Sequence, residues 1–273
     1  MTSPCEVHIY CNDEVKSRSI AKNILNMAKG LEQKYNFYNP TSYLFALNQR
    51  KTDTLDAQTK DLLTRAKLFY GKTDGIFDIT MGTLTQSRKL STVEKIDKEL
   101  QRLSPFVGVE HFKIKKNRLI FDNPHTLIDL GGFVKEFAVD QAVKLLKKEK
   151  IASALINFGG DIYALGRKPN GEAFSIGIKN PLKPNEYITH ANISNQALTT
   201  SASYERNHTV EDKNYSHIIS TDTLQSNILS ATVISASVIE SGVFSTALMI
   251  EPKTNTSLKN ILILNSLKII NNN

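Results

Sequence analysis

A chain of 273 residues, 40% hydrophobic and 22% charged, is long enough to bury one large core or two intimate lobes and has the composition of an ordinary globular protein. No run reaches the roughly 18 apolar residues of a membrane span, and MTSPCEVHIY at the start lacks the basic-then-apolar order of a secretory leader. The net charge of +7, from 34 basic and 27 acidic side chains, favours an anionic partner. Without a helix-turn-helix, zinc-finger or stacking motif, that partner reads as a small molecule and not nucleic acid.

The elements follow in chain order. EVHIY (6–10) alternates as a strand, flanked by Cys5 and Cys11, which read as free thiols of a reducing compartment. Asn12 or Asp13 can cap a long helix with Ile20, Ile24, Met27 or Ala28, and Leu31 on one face. YNFYNPTSYLFALN (35–48) is aromatic and turn-rich. A helix from about Asp56 turns Leu62, Leu63, Ala66, Phe69 and Tyr70 inward and stops at Gly71. IFDITMGTL is a small-residue loop, and 111–122 reads as a hairpin turning at Lys116-Asn117. A helix reaches about Lys148, then a strand at 154–158 meets the turn Gly159-Gly160-Asp161.

Phe174, Ile176 and Ile178 alternate on one strand face, and short strands are predicted at 197–201 and 228–235. A helix around 240–250 and a closing hairpin around Asn265-Ser266 complete the chain, with a frayed tail at about 271–273. Helices and strands mix without a βαβ rhythm, so the fold class is α+β, a single domain over 1–273.

The stretch LIDLGGFVKEFAVD (127–140) breaks an apolar run with two glycines immediately before a helical pattern. The plain reading is that one glycine makes a turn and the other lets helix and strand pack closely. The sharper reading is a phosphate cradle of exposed amides at a helix start, with Lys135 adding charge. The spacing matches neither GxGxxG nor GxxxxGK[ST].

Several words in order decide between these readings. IDLGGFVKEFAVD resembles the DLGG-x-x-KG-x-x-x-D signature of the ApbE family, the FAD:protein FMN transferases. INFGGDIYALG (156–166), GIFDIT (75–80) and 35–48 are similar to further words of that family. So are TTSASYER (199–206), YSHII (215–219) and SATVISASVIESGVFSTALMI (230–250). The resemblance implies a T-fold-like arrangement of mainly antiparallel sheets packed with helices. It also implies Mg²⁺-dependent transfer of FMN from FAD to a threonine of an acceptor flavoprotein, with release of AMP. A hard cation on the pyrophosphate and a base for the incoming hydroxyl are what such a displacement needs.

Carried over by position, the resemblance gives catalytic roles to His217, the base, and Lys135. Gly131, Gly132, Gly160 and Asp161 fall at the phosphates, Asp78 and Thr80 at the adenine end, and Tyr38, Ser42 and Asn48 over the flavin. Metal ligands are implied at the Val134 carbonyl, Asp161 and Thr246. Plainer alternatives stand beside these: Asp78 capping a turn, His217 as a satisfied core histidine, Phe37 and Tyr38 as core aromatics.

The pattern also breaks. The family's metal-binding Asp, four residues before the Thr and so on the same helix face, is Gly242 here. Glu240 lies about 200° around the helix and cannot replace it. Glu136 stands where the family has glycine, a carboxylate that repels a phosphate. Ser220 and Ala202 replace an Asp and a Gly. An alternative is therefore a non-catalytic relative that binds flavin or nucleotide, or acts through protein contacts. Restoring Asp at 242 is expected to strengthen Mg²⁺-dependent FAD binding. Because the chain starts at the family's first motif, the expected compartment is the cytoplasm, or the periplasm if a leader was removed. Homodimerisation is left open.

Overall fold

A computed structural model describes residues 4–85, 87, 90–203, 207–211, 213–216 and 228–272, with the backbone alone at 184, 207–210 and 213–216. His217, Ile218, Ile219 and Ser220 lie outside the described residues. Strand β1 (Cys5–Ile9) leads into α1 (Glu14–Tyr35), whose first turn is capped by Asp13 accepting from the Lys16 amide at 2.9 Å. Ile20, Ile24, Ala28 and Leu31 are buried on one face, as their spacing predicts. A short α2 (Tyr43–Asn48) precedes α3 (Ala57–Lys72), which Asp56 caps. Then come α4 (Gly82–Thr85), α5 (Val93–Leu103) and the hairpin β2 (Phe112–Lys115) with β3 (Arg118–Phe121).

Helix α6 (Val134–Lys148) enters β4 (Ala154–Phe158) and β5 (Asp161–Leu165). These strands are joined by a two-residue turn with Gly159 at φ 59° and Gly160 at φ 93°. Both angles lie in the left-handed region that this tight hairpin demands, and glycine meets it without strain. The chain continues through β6 (Phe174–Asn180), β7 (Lys183–Ile193), β8 (Gln196–Ala202), β9 (Asn207–Val210) and β10 (Lys213–Ser216). It closes with β11 (Ile228–Ser235), α7 (Val238–Ile250), β12 (Lys259–Leu264) and β13 (Ile269–Asn272).

One seven-stranded sheet, in order β1-β4-β5-β8-β11-β12-β13 and antiparallel throughout, organises the molecule. Helices α6 and α7 lie on one face, and α1 packs outside α6. On the other face the β6–β7 ribbon lays Phe174, Ile176, Ala191 and Ile193 over Ile162, Ala164, Leu198 and Ile234. Burying the larger of these, the Phe, Ile and Leu side chains, contributes about 1.5–3 kcal/mol each. Helix α7 is apolar almost all round because it is covered on nearly every side. This is the α+β class that the mixed elements predict.

Three differences from the sequence reading have local causes. The turn-rich segment 35–48 contains α2, because Ser42 caps it by accepting from the Phe45 amide. The long β7 runs through polar, irregular sequence, and its pairing with β6 supplies the order that alternation did not. The tail is not frayed at 271 and 272: Asn271 and Asn272 pair with Ile261 and Asn260, and the Asn272 side chain donates to Asn260. Asn273 lies outside the described residues. Cys5 and Cys11 are exposed and form no disulfide, in line with the expectation. Among the described residues no helix is long and apolar enough to cross a membrane.

Candidate functional site

Three of the sequence words meet at the strand-like segment 127–130. The Asn48 amide clasps the backbone of Ile128, donating to its carbonyl at 2.8 Å and accepting its N–H at 2.9 Å. Leu127 N donates to Thr83 Oγ1 at 3.0 Å, and Asp129 N donates to Ile79 O at 2.7 Å. Gly82 lies so close that a Cβ there would come within 2.8 Å of the Leu127 carbonyl. Segments 42–48 and 77–83 are thereby fixed against the glycine corner.

Several predicted site residues serve this frame. Asp78 accepts from both the Thr80 amide and its hydroxyl at 2.7 Å, the turn-capping alternative, and burial holds its carboxyl above the usual range. Thr80 is fully buried, its hydroxyl also accepting from Gly108 N at 2.7 Å. Ser42 caps α2 and donates to Asn36 O. The side-chain groups of Thr80, Ser42 and Asn48 all hydrogen-bond within the protein and so hold the frame of the site. Tyr38 differs: it is 56% exposed, edge-on to buried Phe37, with its ring accessible to a stacking partner.

The glycines of 131–132 now have an answer. Neither has a left-handed φ. A Cβ on Gly131 would meet Asp129 Oδ1 at 3.1 Å, the atom that accepts the Gly131 N–H. Around Gly132 a Cβ would meet nothing within 4 Å, and the same holds for Gly160. Neither turn geometry nor packing demands glycine at 132. The backbone there faces open space at the start of α6, whose Ncap position, Phe133, gives no side-chain cap.

Behind this opening lies a buried polar cluster. Asp161, the first residue of β5, is 3% exposed at its side chain and pairs with Lys135 Nζ at 2.9 Å. Glu136 is buried beside it, within hydrogen-bonding reach of Asp161. Burial first, then the Asp161 charge, hold the Glu136 carboxyl well above the usual carboxylate range. Glu136 Oε2 meets no hydrogen-bond partner among the described residues. A Cβ on Gly242 would lie 2.6 Å from Glu136 Cγ.

The expected gain from Asp at position 242 therefore does not stand, because Glu136 already occupies the space that side chain would need. Glu136 points back between α6 and α7, beside Asp161. Glu240, as its helical angle predicts, points elsewhere, lying 3.9 Å from Lys72 Nζ.

Hydroxyls line the other wall. Asp161 stands directly opposite Thr199 in the β5–β8 ladder, and Thr199 Oγ1 lies 2.8 Å from Ser241 Oγ of α7. Two residues on, Ser201 Oγ is 2.8 Å from Ser245 Oγ and 3.2 Å from Thr246 Oγ1. Thr246, half-buried, is one turn beyond Gly242 on the same face of α7. Val134, buried, opens α6.

Asp140 sets the two helices in register. Its carboxylate accepts from Val238 N at 2.8 Å and Ile239 N at 3.2 Å, while Ser237 Oγ accepts from Glu240 N. The first three α7 amides are thus satisfied, two of them by a side chain of α6. Sequence reading missed both Asp140 and Glu136. The available signal for Glu136 was a pair of complementary departures: a carboxylate gained at 136 and one missing at 242.

Comparison with known proteins gives the family and the fold. The model of the ApbE family matches residues 1–260. The FAD:protein FMN transferase of Vibrio cholerae is 25% identical over 225 residues, covering 76% of this chain and 65% of that protein. The FAD:protein FMN transferase of Chlamydia pneumoniae is 28% identical over 214 residues, covering 75% and 66%. The match thus spans just under two thirds of these relatives. The crystal structure of the ApbE protein of Thermotoga maritima superposes with a TM-score of 0.85 at 24% identity, covering 97% of this chain and 93% of that one, a likeness of fold.

Proposed function

The chain belongs to the ApbE family, and on that premise we propose that it transfers FMN from FAD to a threonine hydroxyl of an acceptor flavoprotein and releases AMP. The observation that carries this reading is the open, bare backbone at Gly132 and Gly160, three residues and one residue ahead of Lys135 and Asp161, which pair at 2.9 Å. A pyrophosphate fits there: glycine backbone can approach its oxygens, and the Lys135 ammonium offsets their charge. The exposed ring of Tyr38 supplies a surface for the isoalloxazine.

The donor set suits a hard divalent cation, since a buried carboxylate oxygen without a donor sits beside a second carboxylate. Asp161, the Thr246 hydroxyl and the Val134 carbonyl would hold Mg²⁺, which when bound neutralises charge on the pyrophosphate oxygens. In the reaction the acceptor threonine gives its proton to His217. Its oxygen bonds to the phosphorus of the FMN half, the P–O bond to the bridging oxygen breaks, and AMP leaves with that oxygen. The non-catalytic alternative drew on an absent carboxylate at 242, and the buried Glu136 beside Asp161 supports a second carboxylate at this place.

Purified protein given FAD, Mg²⁺ and an acceptor protein bearing the target threonine should yield a flavin-labelled product and AMP, and EDTA should abolish both. FAD binding without any product would overturn the transfer reading. Gly132→Leu should leave stability within about 1 kcal/mol, because its side chain enters open space. It should weaken FAD binding about tenfold or more in a fluorescence titration, a loss of roughly 1.4 kcal/mol or greater. Unchanged FAD affinity would place the ligand elsewhere.

A further inference from the structure

We infer that this chain has exchanged the carriers of one carboxylate: Glu136 of α6 delivers to the cation site the group that a residue at 242 of α7 would otherwise provide. The inference rests on the proposed cation at Asp161 and identifies a ligand beyond that reading.

Three observations carry it. The first is spatial exclusion. A Cβ at 242 would lie 2.6 Å from Glu136 Cγ and 3.3 Å from its Cδ and Oε1, so the two positions compete for one volume. Glycine at 242 is what leaves room for the glutamate. The second is an unmet valence. Glu136 is 6% exposed, yet its Oε2 meets no N–H or O–H donor among the described residues. A buried oxygen of this kind costs stability unless a proton or cation meets it. The third is company. Asp161 lies within hydrogen-bonding reach, and Thr246 follows Gly242 by one turn on the same helix face.

Two carboxylates with a hydroxyl, completed by substrate phosphate and water, form the oxygen set that Mg²⁺ or Mn²⁺ takes. Among the described residues no third His, Cys, Asp or Glu joins the pair, which suits a cation that shares its coordination with a phosphate ligand.

The exchange explains why both departures occur together. A carboxylate on a longer arm from α6 reaches the space that a shorter arm from α7 would fill. Neither change alone is tolerable: glutamate with a side chain at 242 collides, and glycine at both positions leaves Asp161 without a second carboxylate.

The test uses Mn²⁺ alone as the probe, with chelator-stripped full chain, read by calorimetry and electron paramagnetic resonance, and thermal unfolding as a check of folding. Glu136→Gln, nearly isosteric, should keep the fold and weaken Mn²⁺ binding about tenfold or more. Asp161→Asn should do likewise. Gly242→Asp alone should lower the unfolding temperature and weaken Mn²⁺ binding. The double variant Glu136→Gly with Gly242→Asp should recover affinity to within about threefold of the parent, a difference under about 0.7 kcal/mol.

Parental Mn²⁺ affinity in Glu136→Gln, with loss in Asp161→Asn, would overturn the inference and leave the cation reading at Asp161 intact. Parental affinity in both single variants, or no Mn²⁺ binding by the parent, would sink the cation site itself. FAD titration in EDTA then tests flavin binding separately. A folded double variant that fails to recover affinity would also overturn the exchange.

Discussion

Asp140→Ala is expected to lower folding stability by about 2–4 kcal/mol, which corresponds to a fall in Tm of roughly 4–7 °C for a chain of this size. Asp140 is largely buried and lies away from the open glycine corner, so the effect does not come from ligand loss. Its two oxygens accept the first two amides of α7. Removing them leaves two N–H groups at a largely buried helix start without an acceptor. The offset is real but smaller: burial holds the Asp140 carboxyl above its ordinary range, so the wild-type chain already bears a desolvation cost that alanine relieves.

Asn at 140 keeps one acceptor oxygen and should lose about half as much as Ala. The variant should also weaken Mn²⁺ binding, because α7 no longer holds Gly242 against Glu136. Denaturant unfolding checks the first part. A change below about 0.5 kcal/mol would show that α7 finds other partners.

His217→Ala is expected to reduce transfer of FMN to the acceptor by about 10²–10⁴-fold, the range for losing a general base. FAD binding should stay within about threefold of the parent, because a base acts on the incoming hydroxyl and not on the bound nucleotide. Imidazole alone among side chains carries an unperturbed pKa near neutrality, which makes it effective at accepting that proton at physiological pH. A plot of kcat/KM against pH should fall on the acid side as the imidazole takes a proton, and the variant should lack that limb. Loss of FAD binding equal to loss of turnover would assign His217 to binding. A parental rate would remove it from the chemistry altogether.

The elements read best in the sequence are those whose periodicity is local. The face Ile20, Ile24, Ala28, Leu31 and the alternation of Phe174, Ile176, Ile178 each report burial within a single element. Caps at Asp13 and Asp56 are similarly local, since a side chain meets an amide three residues on. Helix α5 falls in a stretch given no element in advance, although its charged face alternates with Ile96 and Leu103. Strand β7 is polar on much of its length, and only its partner β6 identifies it.

By itself the sequence determined the α+β class, most element positions, the absence of a Cys5–Cys11 disulfide and, through ordered words along the chain, the family. It did so because turn chemistry, capping and amphipathic period are short-range properties. What it could not decide was what each polar group meets. Asn48, placed over the flavin by the resemblance, clasps the backbone of Ile128; Glu136, which read as a repulsive intruder at a phosphate, is a buried carboxyl group beside Asp161. Those assignments depend on the packing of α6 against α7 and β5, where residues distant in the chain share a few ångströms of space. Tertiary structure alone decides which of two helices fills that space, because steric exclusion between Gly242 and Glu136 is a property of the packed pair and of neither residue alone.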